Sequence, residues 1–312
     1  MPVDQQTSAL LEAMSSLSVW PPVDIVEARR LANLQFTPLE AERANVLTVR
    51  EGTIPAAHGA VPVRIYTPKP RDAIAPLTPI LVYFHGGGFV LGSLDLVDGL
   101  CCQMARSGGV IVVSVDYRLA PEHKFPAAAE DAYAAAQWVA AHAGAIGGDA
   151  ARIAVGGDSA GANLAAVACL MAKDRETQMP AFQVLMYPST NGRLETASAL
   201  RNGEGYLLTR EMMNWFTAQY QNSPADTANP YYSPLRHPSH VGLPPALIIT
   251  AEYDPLLDEG KAYADRLEAA CVAVDYHCFC GTIHGFVTFY QMLDKGRDAI
   301  ELIGKRLRSA FA

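Results

Sequence analysis

The sequence predicts an α/β architecture: a mostly parallel central sheet with helices on both faces, plus a helical cap. Three observations lead there. From residue 80 onward, short apolar runs alternate with helical stretches, the pattern of strands covered on both faces by crossover helices. Each apolar run has strand length and is bounded by Gly, Pro or Asp. The chain has 312 residues, 50% of them hydrophobic and only 18% charged, so a large core is available. That composition excludes disorder, a coiled coil and a collagen-like chain. At about 150 residues per domain the length allows two domains, or one large α/β domain carrying an insertion.

The elements follow in order. Leu10, Leu11, Met14 and Leu17 share one helix face. Trp20-Pro21-Pro22 breaks that helix, and Val23 to Phe36 reads as a second one ending before Thr37-Pro38. Val46 to Val49 and Val61 to Tyr66 are short and β-rich, and 68–79 is a loop. Then Ile80 to Phe84 is a strand, Asp95 to Arg106 a helix, and Val110 to Val115 a strand. Pro126 opens an Ala-rich helix reaching His142. Arg152 to Val155 is a strand, Ala160 to Ala172 a helix, and Phe182 to Tyr187 a strand. Ala246 to Thr250 is a strand, Glu259 to Ala270 a helix, and Val272 to Phe279 a strand, with a last helix after Gly285.

Residues 188–244 break the alternation. They hold several prolines and one good helix, Thr209 to Tyr220, with Met212, Met213, Trp215 and Phe216. This is too long for a plain loop. The organisation expected is therefore cap helices in 1–45, a catalytic α/β domain from 46–187 and 245–312, and a cap insertion at 188–244. The Met and aromatic stripe either lines a pocket or packs the cap on the core.

The net charge of −8 lacks the electrostatic footprint of a nucleic-acid binder. No run approaches about 18 apolar residues, so no membrane insertion is expected. Met1 to Trp20 carries Asp4 and Glu12 and no Lys or Arg, unlike a secretory signal. Six cysteines are too few for a disulfide framework in so long a chain. A cytoplasmic location is the simplest expectation. Cys278 and Cys280 precede His284, but no second Cys/His pair completes a tetrahedral metal set, so no metal is expected.

The chemistry concentrates in Gly157-Asp158-Ser159-Ala160-Gly161, between a predicted strand and a predicted helix. A serine in that strand–turn–helix context is a nucleophile elbow, projecting its hydroxyl from the sheet edge. His85-Gly86-Gly87-Gly88-Phe89, at the end of an earlier strand, lets backbone N–H groups approach a substrate closely. An acyl-transfer enzyme needs such donors where a carbonyl oxygen becomes negative. A dinucleotide-binding loop fits less well: it needs glycine at position 91, which is Leu91, and the next glycine is Gly92.

A serine nucleophile needs a base, and the base an orienting acid. Of the eight histidines, His284 is the one downstream of Ser159 at a strand's C-terminal end, where open parallel sheets collect catalytic groups. His58, His142, His237 and His240 read as solvated, His123 lies in a loop and His277 is mid-strand. For the acid, Asp254 follows the strand at 246–250, and Pro255 keeps it out of helical geometry. Glu252, Asp258 and Glu259 are rivals, the last two as helix-start residues. Asp116, Arg118 and Asp158 read as structural.

The pair of glycine motifs resembles the hormone-sensitive-lipase-like family of carboxylesterases (bacterial family IV). Asp116-Tyr117-Arg118-Leu119-Ala120-Pro121-Glu122 and Phe125-Pro126-Ala127-Ala128 are similar to two further signatures of that family. Asp254-Pro255-Leu256 and His284-Gly285-Phe286 match its acid and base motifs. The resemblance spans roughly residues 60–290. It implies the α/β-hydrolase fold, a cap, no cofactor, and hydrolysis of short-to-medium acyl esters of small soluble alcohols. On this basis Ser159, Asp254 and His284 form a triad, in the chain order expected of an α/β-hydrolase. The N–H groups of Gly87, Gly88 and Ala160 form the oxyanion hole. Phe89, Tyr187, Leu207, Leu208, Phe216 and Phe286 are expected to line the substrate pocket. The partner is a small-molecule ester, and a homodimer is compatible with this. Amidase or lactonase chemistry would use the same triad, because the pocket decides. Small-molecule receptors of the same family lack the catalytic histidine, whereas His284 stands here in its full motif.

Overall fold

Why the strands lie where they do is written in their alternation. Ile80, Val82 and Phe84 bury into one apolar cluster, while Leu81 and Tyr83 bury into another. The period of two sends successive side chains to opposite faces, and both faces are covered. The computed structural model describes residues 2–15, 24–36, 46, 48–69 and 77–312.

Its described strands form one sheet of eight. They are β1 (Thr48–Ala56), β2 (Gly59–Thr67), β3 (Thr78–Phe84), β4 (Ile111–Val115), β5 (Gly148–Asp158), β6 (Phe182–Met186), β7 (Ala246–Tyr253) and β8 (Val274–Ile283). The order is β1-β2-β4-β3-β5-β6-β7-β8. The β1–β2 hairpin joins the sheet antiparallel to β4, and every later pairing is parallel. This is the α/β-hydrolase arrangement.

Helices α1 (Gln5–Ser15) and α2 (Ile25–Phe36) precede the sheet. Helices α3 (Asp98–Gly108), α4 (Ala127–His142) and α5 (Ala160–Asp174) alternate with the strands, as do α8 (Leu257–Ala269) and α9 (Asp294–Ala310). On the face holding α4, α5 and α8, alanine dominates the buried residues of α4 and α5, and every residue of α5 from Ala160 to Ala172 is buried. Small side chains let that helix sit directly on the central strands. The opposite face is filled by α1, α3 and α9. The insertion contributes α6 (Ala197–Arg201) and α7 (Arg210–Tyr220).

Several boundaries differ from expectation. The last helix starts at Asp294, after turns at 284–292. β8 is displaced toward the C-terminus and runs to Ile283. The helix expected from Asp95 divides into a 3₁₀ turn, Asp95–Val97, and α3. Helix α6 was not expected, because five residues carry too little periodicity to register. Leu17, the Trp20-Pro21-Pro22 break, Leu47, Thr37-Pro38 and most of the 68–79 loop lie outside the described residues. Among the described residues no helix is long and apolar enough to cross a membrane.

Candidate active site

The site begins where β5 ends. Ser159 has φ +55° and ψ −116°, a strained conformation for a residue with a Cβ, and α5 starts at the next residue. The turn is held by its own backbone: the Ser159 N–H donates to the Met186 carbonyl at 2.9 Å, and the Asn163 N–H to the Ser159 carbonyl at 3.1 Å. It is also tight. A Cβ at Gly161 would collide with the Phe84 carbonyl at the end of β3, so glycine is required for that approach.

His284 follows β8 and Asp254 follows β7. The Nε2 of His284 lies 2.9 Å from the Ser159 Oγ, and its Nδ1 lies 2.8 Å from Asp254 Oδ2. With Nδ1–H donating to the carboxylate, Nε2 is left to accept from the serine hydroxyl. Asp254 is fully buried, and its other oxygen accepts the Leu256 N–H at 2.7 Å. The rival acids are engaged elsewhere. Glu252 accepts the Gly281 N–H at 2.7 Å, and Asp258 accepts the Ser198 N–H at 2.7 Å. Glu259, buried at the start of α8, accepts from the N–H groups of Thr190 and Asn191. Burial pushes the Glu259 carboxyl up to about 8, with the Asp254 charge adding to the rise.

The glycine loop is bolted to the elbow by Asp158. Its Oδ1 accepts the Tyr83 hydroxyl at 2.5 Å and the Gly86 N–H at 2.8 Å. Burial raises the Asp158 carboxyl above the usual carboxylate range, against the pull of those two donors. His85 is buried and stacked on Tyr117, and desolvation lowers its pKa, which favours a neutral ring. Gly88 has φ +62°, and a Cβ there would run into the ring of Phe216 from α7. Among the described residues no protein acceptor takes the N–H of Gly87, Gly88 or Ala160. All three residues line the same cavity as Ser159.

A cavity of about 280 Å³ opens onto this group. Its walls are mostly apolar. Met14, Leu31 and Ala32 come from α1 and α2, and Leu208, Met212 and Met213 from the insertion. Four of the expected pocket residues line it: Phe89, Leu207, Leu208 and Phe216. The other two do not. Tyr187 and Phe286 are fully buried behind the histidine, with the Tyr187 ring edge-on to His284 at 4.9 Å and 5.9 Å from Phe286. A position next to a motif in sequence need not face the cavity; here Tyr187 packs against the imidazole, and Phe286 packs on Tyr187 and Phe279.

Residues 81–288 match the family model described as the alpha/beta hydrolase fold. The chain is 41% identical over 263 residues to the ethyl acetate hydrolase of Pseudomonas putida, covering 84% of this chain and 80% of that one. It is 46% identical over 253 residues to the carboxylic ester hydrolase LipN of Mycobacterium tuberculosis, covering 78% of this chain but 65% of that protein. Among solved structures it resembles the hyperthermophilic esterase from Pyrobaculum calidifontis, with a TM-score of 0.93, 43% identity and 99% of each chain covered.

The chain belongs to the hormone-sensitive-lipase-like family of α/β-hydrolases.

In this family member the Asp116–Leu119 stretch does a structural job by a partner not foreseen. Arg118 pairs in bidentate fashion with Asp131 of α4, at 2.8 Å for each contact, and not with Asp116. His237 and His240 were expected to be solvated but are buried. His237 faces Asp174 at the end of α5, and the His240 Nε2 lies 3.0 Å from the Pro234 carbonyl. Their turn-like sequence is real, but the turn packs on α5 and α8. Sequence reasoning also missed Arg29 of α2. It grips Glu122 with two nitrogens and the carbonyls of Val90 and Ala120, so it ties the N-terminal wall to the loop following the glycines. Nothing local in an exposed helix marks such an arginine.

Proposed function

We propose that this hormone-sensitive-lipase-like protein hydrolyses short-to-medium acyl esters of small alcohols through an acyl-enzyme on Ser159. Ester hydrolysis is the activity named for its relatives, and carboxylic ester hydrolase is its enzyme class. The observation that carries the finer mechanism is the unbroken line Ser159–His284–Asp254, with separations of 2.9 and 2.8 Å, at a cavity that Gly87, Gly88 and Ala160 also line.

His284 takes the hydroxyl proton as Ser159 Oγ attacks the ester carbonyl. Asp254 holds the ring in the required tautomer and stabilises the imidazolium. The N–H groups of Gly87, Gly88 and Ala160 receive the oxygen as it becomes negative. Collapse of the tetrahedral intermediate breaks the C–O bond, and the alcohol leaves with the proton from His284. Water, deprotonated by the same ring, then attacks the acyl carbon and frees Ser159 as the acid departs. The segments 1–45 and 188–244 act as the cover that keeps bulk water away and holds the acyl chain. Met14 and Leu31 from the first, and Leu208 and Phe216 from the second, are its cavity-facing groups.

The test is a chain-length series of p-nitrophenyl esters run beside the matching amides. A cavity of about 280 Å³ with apolar walls should favour short-to-medium chains and esters over amides. Phe216→Ala, which removes the ring over Gly88, should move the optimum to longer chains. It should raise kcat/KM for the longest substrate about tenfold relative to the shortest. Amides turned over faster than esters, or an unchanged profile in Phe216→Ala, would refute the substrate assignment.

A further inference from the structure

The turn that carries Asp254 is gripped from outside the catalytic domain. Ser198 lies in α6, within the insertion, and Asn202 is the residue that caps the C-terminus of that helix, its N–H donating to the Ser198 carbonyl; both are buried. The Asn202 Nδ2 donates to the carbonyls of Glu252 at 3.2 Å and Asp254 at 3.1 Å. The Ser198 hydroxyl donates to the Pro255 carbonyl at 2.7 Å and accepts the Asp258 N–H at 3.1 Å. Asp258 in turn accepts the Ser198 N–H. Three carbonyls and one N–H of the acid turn are thus bonded by two side chains, one in this short helix and one at its C-cap. Just beyond α6, Tyr206 packs its ring 4.9 Å from Tyr253, and Leu207 and Leu208 form part of the cavity wall.

We infer that Asn202 and Ser198 are positioning residues for Asp254, so that the insertion sets the aim of the catalytic acid as well as covering the substrate. This rests on the proposed triad. Without these two side chains the buried Pro255 carbonyl would lose its Ser198 donor and the Asp254 carbonyl would keep only the Leu257 N–H, so the turn would rearrange to find others. A turn that shifts by a fraction of an ångström swings Oδ2 away from His284 Nδ1, and loss of orientation costs rate without weakening binding. The same bridge joins the acid to the wall formed by Leu207 and Leu208.

A double-mutant cycle tests this. Asn202→Ala, Asp254→Asn and the pair are compared by kcat and KM on one short p-nitrophenyl ester. Asn202→Ala should lower kcat about tenfold or more with KM within about twofold of wild type, and Asn202→Gln, which can still donate, should restore part of it. In the Asp254→Asn background the same substitution should change kcat less than about twofold, because the group it aims is already disabled. If Asn202→Ala does not fold, Ser198→Ala, which loses the Pro255 contact, takes its place in the cycle with the same expectation. Equal losses in both backgrounds, or no loss in either, would overturn the positioning role while leaving the triad intact. Full activity in Asp254→Asn alone would overturn the acid assignment and this inference with it.

Discussion

Ser159→Ala and His284→Ala should each lose ester turnover by about 10⁴- to 10⁶-fold, and the double variant should be little worse than either. The reason is in the geometry. Among the described residues, the base within hydrogen-bond reach of Ser159 Oγ is His284 Nε2, at 2.9 Å. Without the ring the hydroxyl keeps its proton and is a poor nucleophile, and without the hydroxyl the ring has nothing to activate but water. Both side chains sit at strand ends beside the cavity, so neither truncation opens the sheet, and both variants should melt close to wild type.

Asp158→Ala should be the most costly change outside the triad. It strips the acceptor from the buried Tyr83 hydroxyl and the part-buried Gly86 N–H. An unsatisfied buried donor costs about 1–3 kcal/mol, so about 2–5 kcal/mol of stability should go. That is a large part of a typical total of about 5–15 kcal/mol, and melting should fall by roughly 5–15 °C. The same clamp holds the loop that presents Gly87 and Gly88, so kcat should fall about 10²-fold. Asp158→Asn keeps an Oδ1 that can still accept both donors and should recover much of both losses. Calorimetry and steady-state kinetics on the two variants check this. An Asp158→Ala protein with wild-type melting and wild-type kcat would show that the contact is idle.

Much of this was legible in the chain because the chemistry demands residues that local sequence displays. The elbow needs small residues around Ser159 and the donor loop needs glycines, so both leave patterns. The strands bury on both faces and therefore read as continuous apolar runs. Asp254 was separable from its rivals because Pro255 fixes the turn, and the structure finds those rivals bonded to backbone N–H groups. What sequence did not disclose is what arises from long-range contact. Asn202 meets Asp254 across 52 positions, and Arg118 chooses Asp131 over its near neighbour Asp116. Tyr187 and Phe286 flank motifs yet face the core, because which side of a strand end meets the cavity depends on the packing of the following turn.

The central claim is that Ser159 becomes covalently acylated. A p-nitrophenyl phosphonate, attacked like an ester but not released by water, captures that step, and intact-mass measurement with peptide mapping reads it. The result expected is one phosphonyl group per chain, carried by Ser159, with release of one p-nitrophenolate and loss of activity in step. Labelling should be absent in Ser159→Ala and strongly slowed in His284→Ala. A wild-type protein that keeps hydrolysing esters while unlabelled, or that carries the group on another residue, would contradict it.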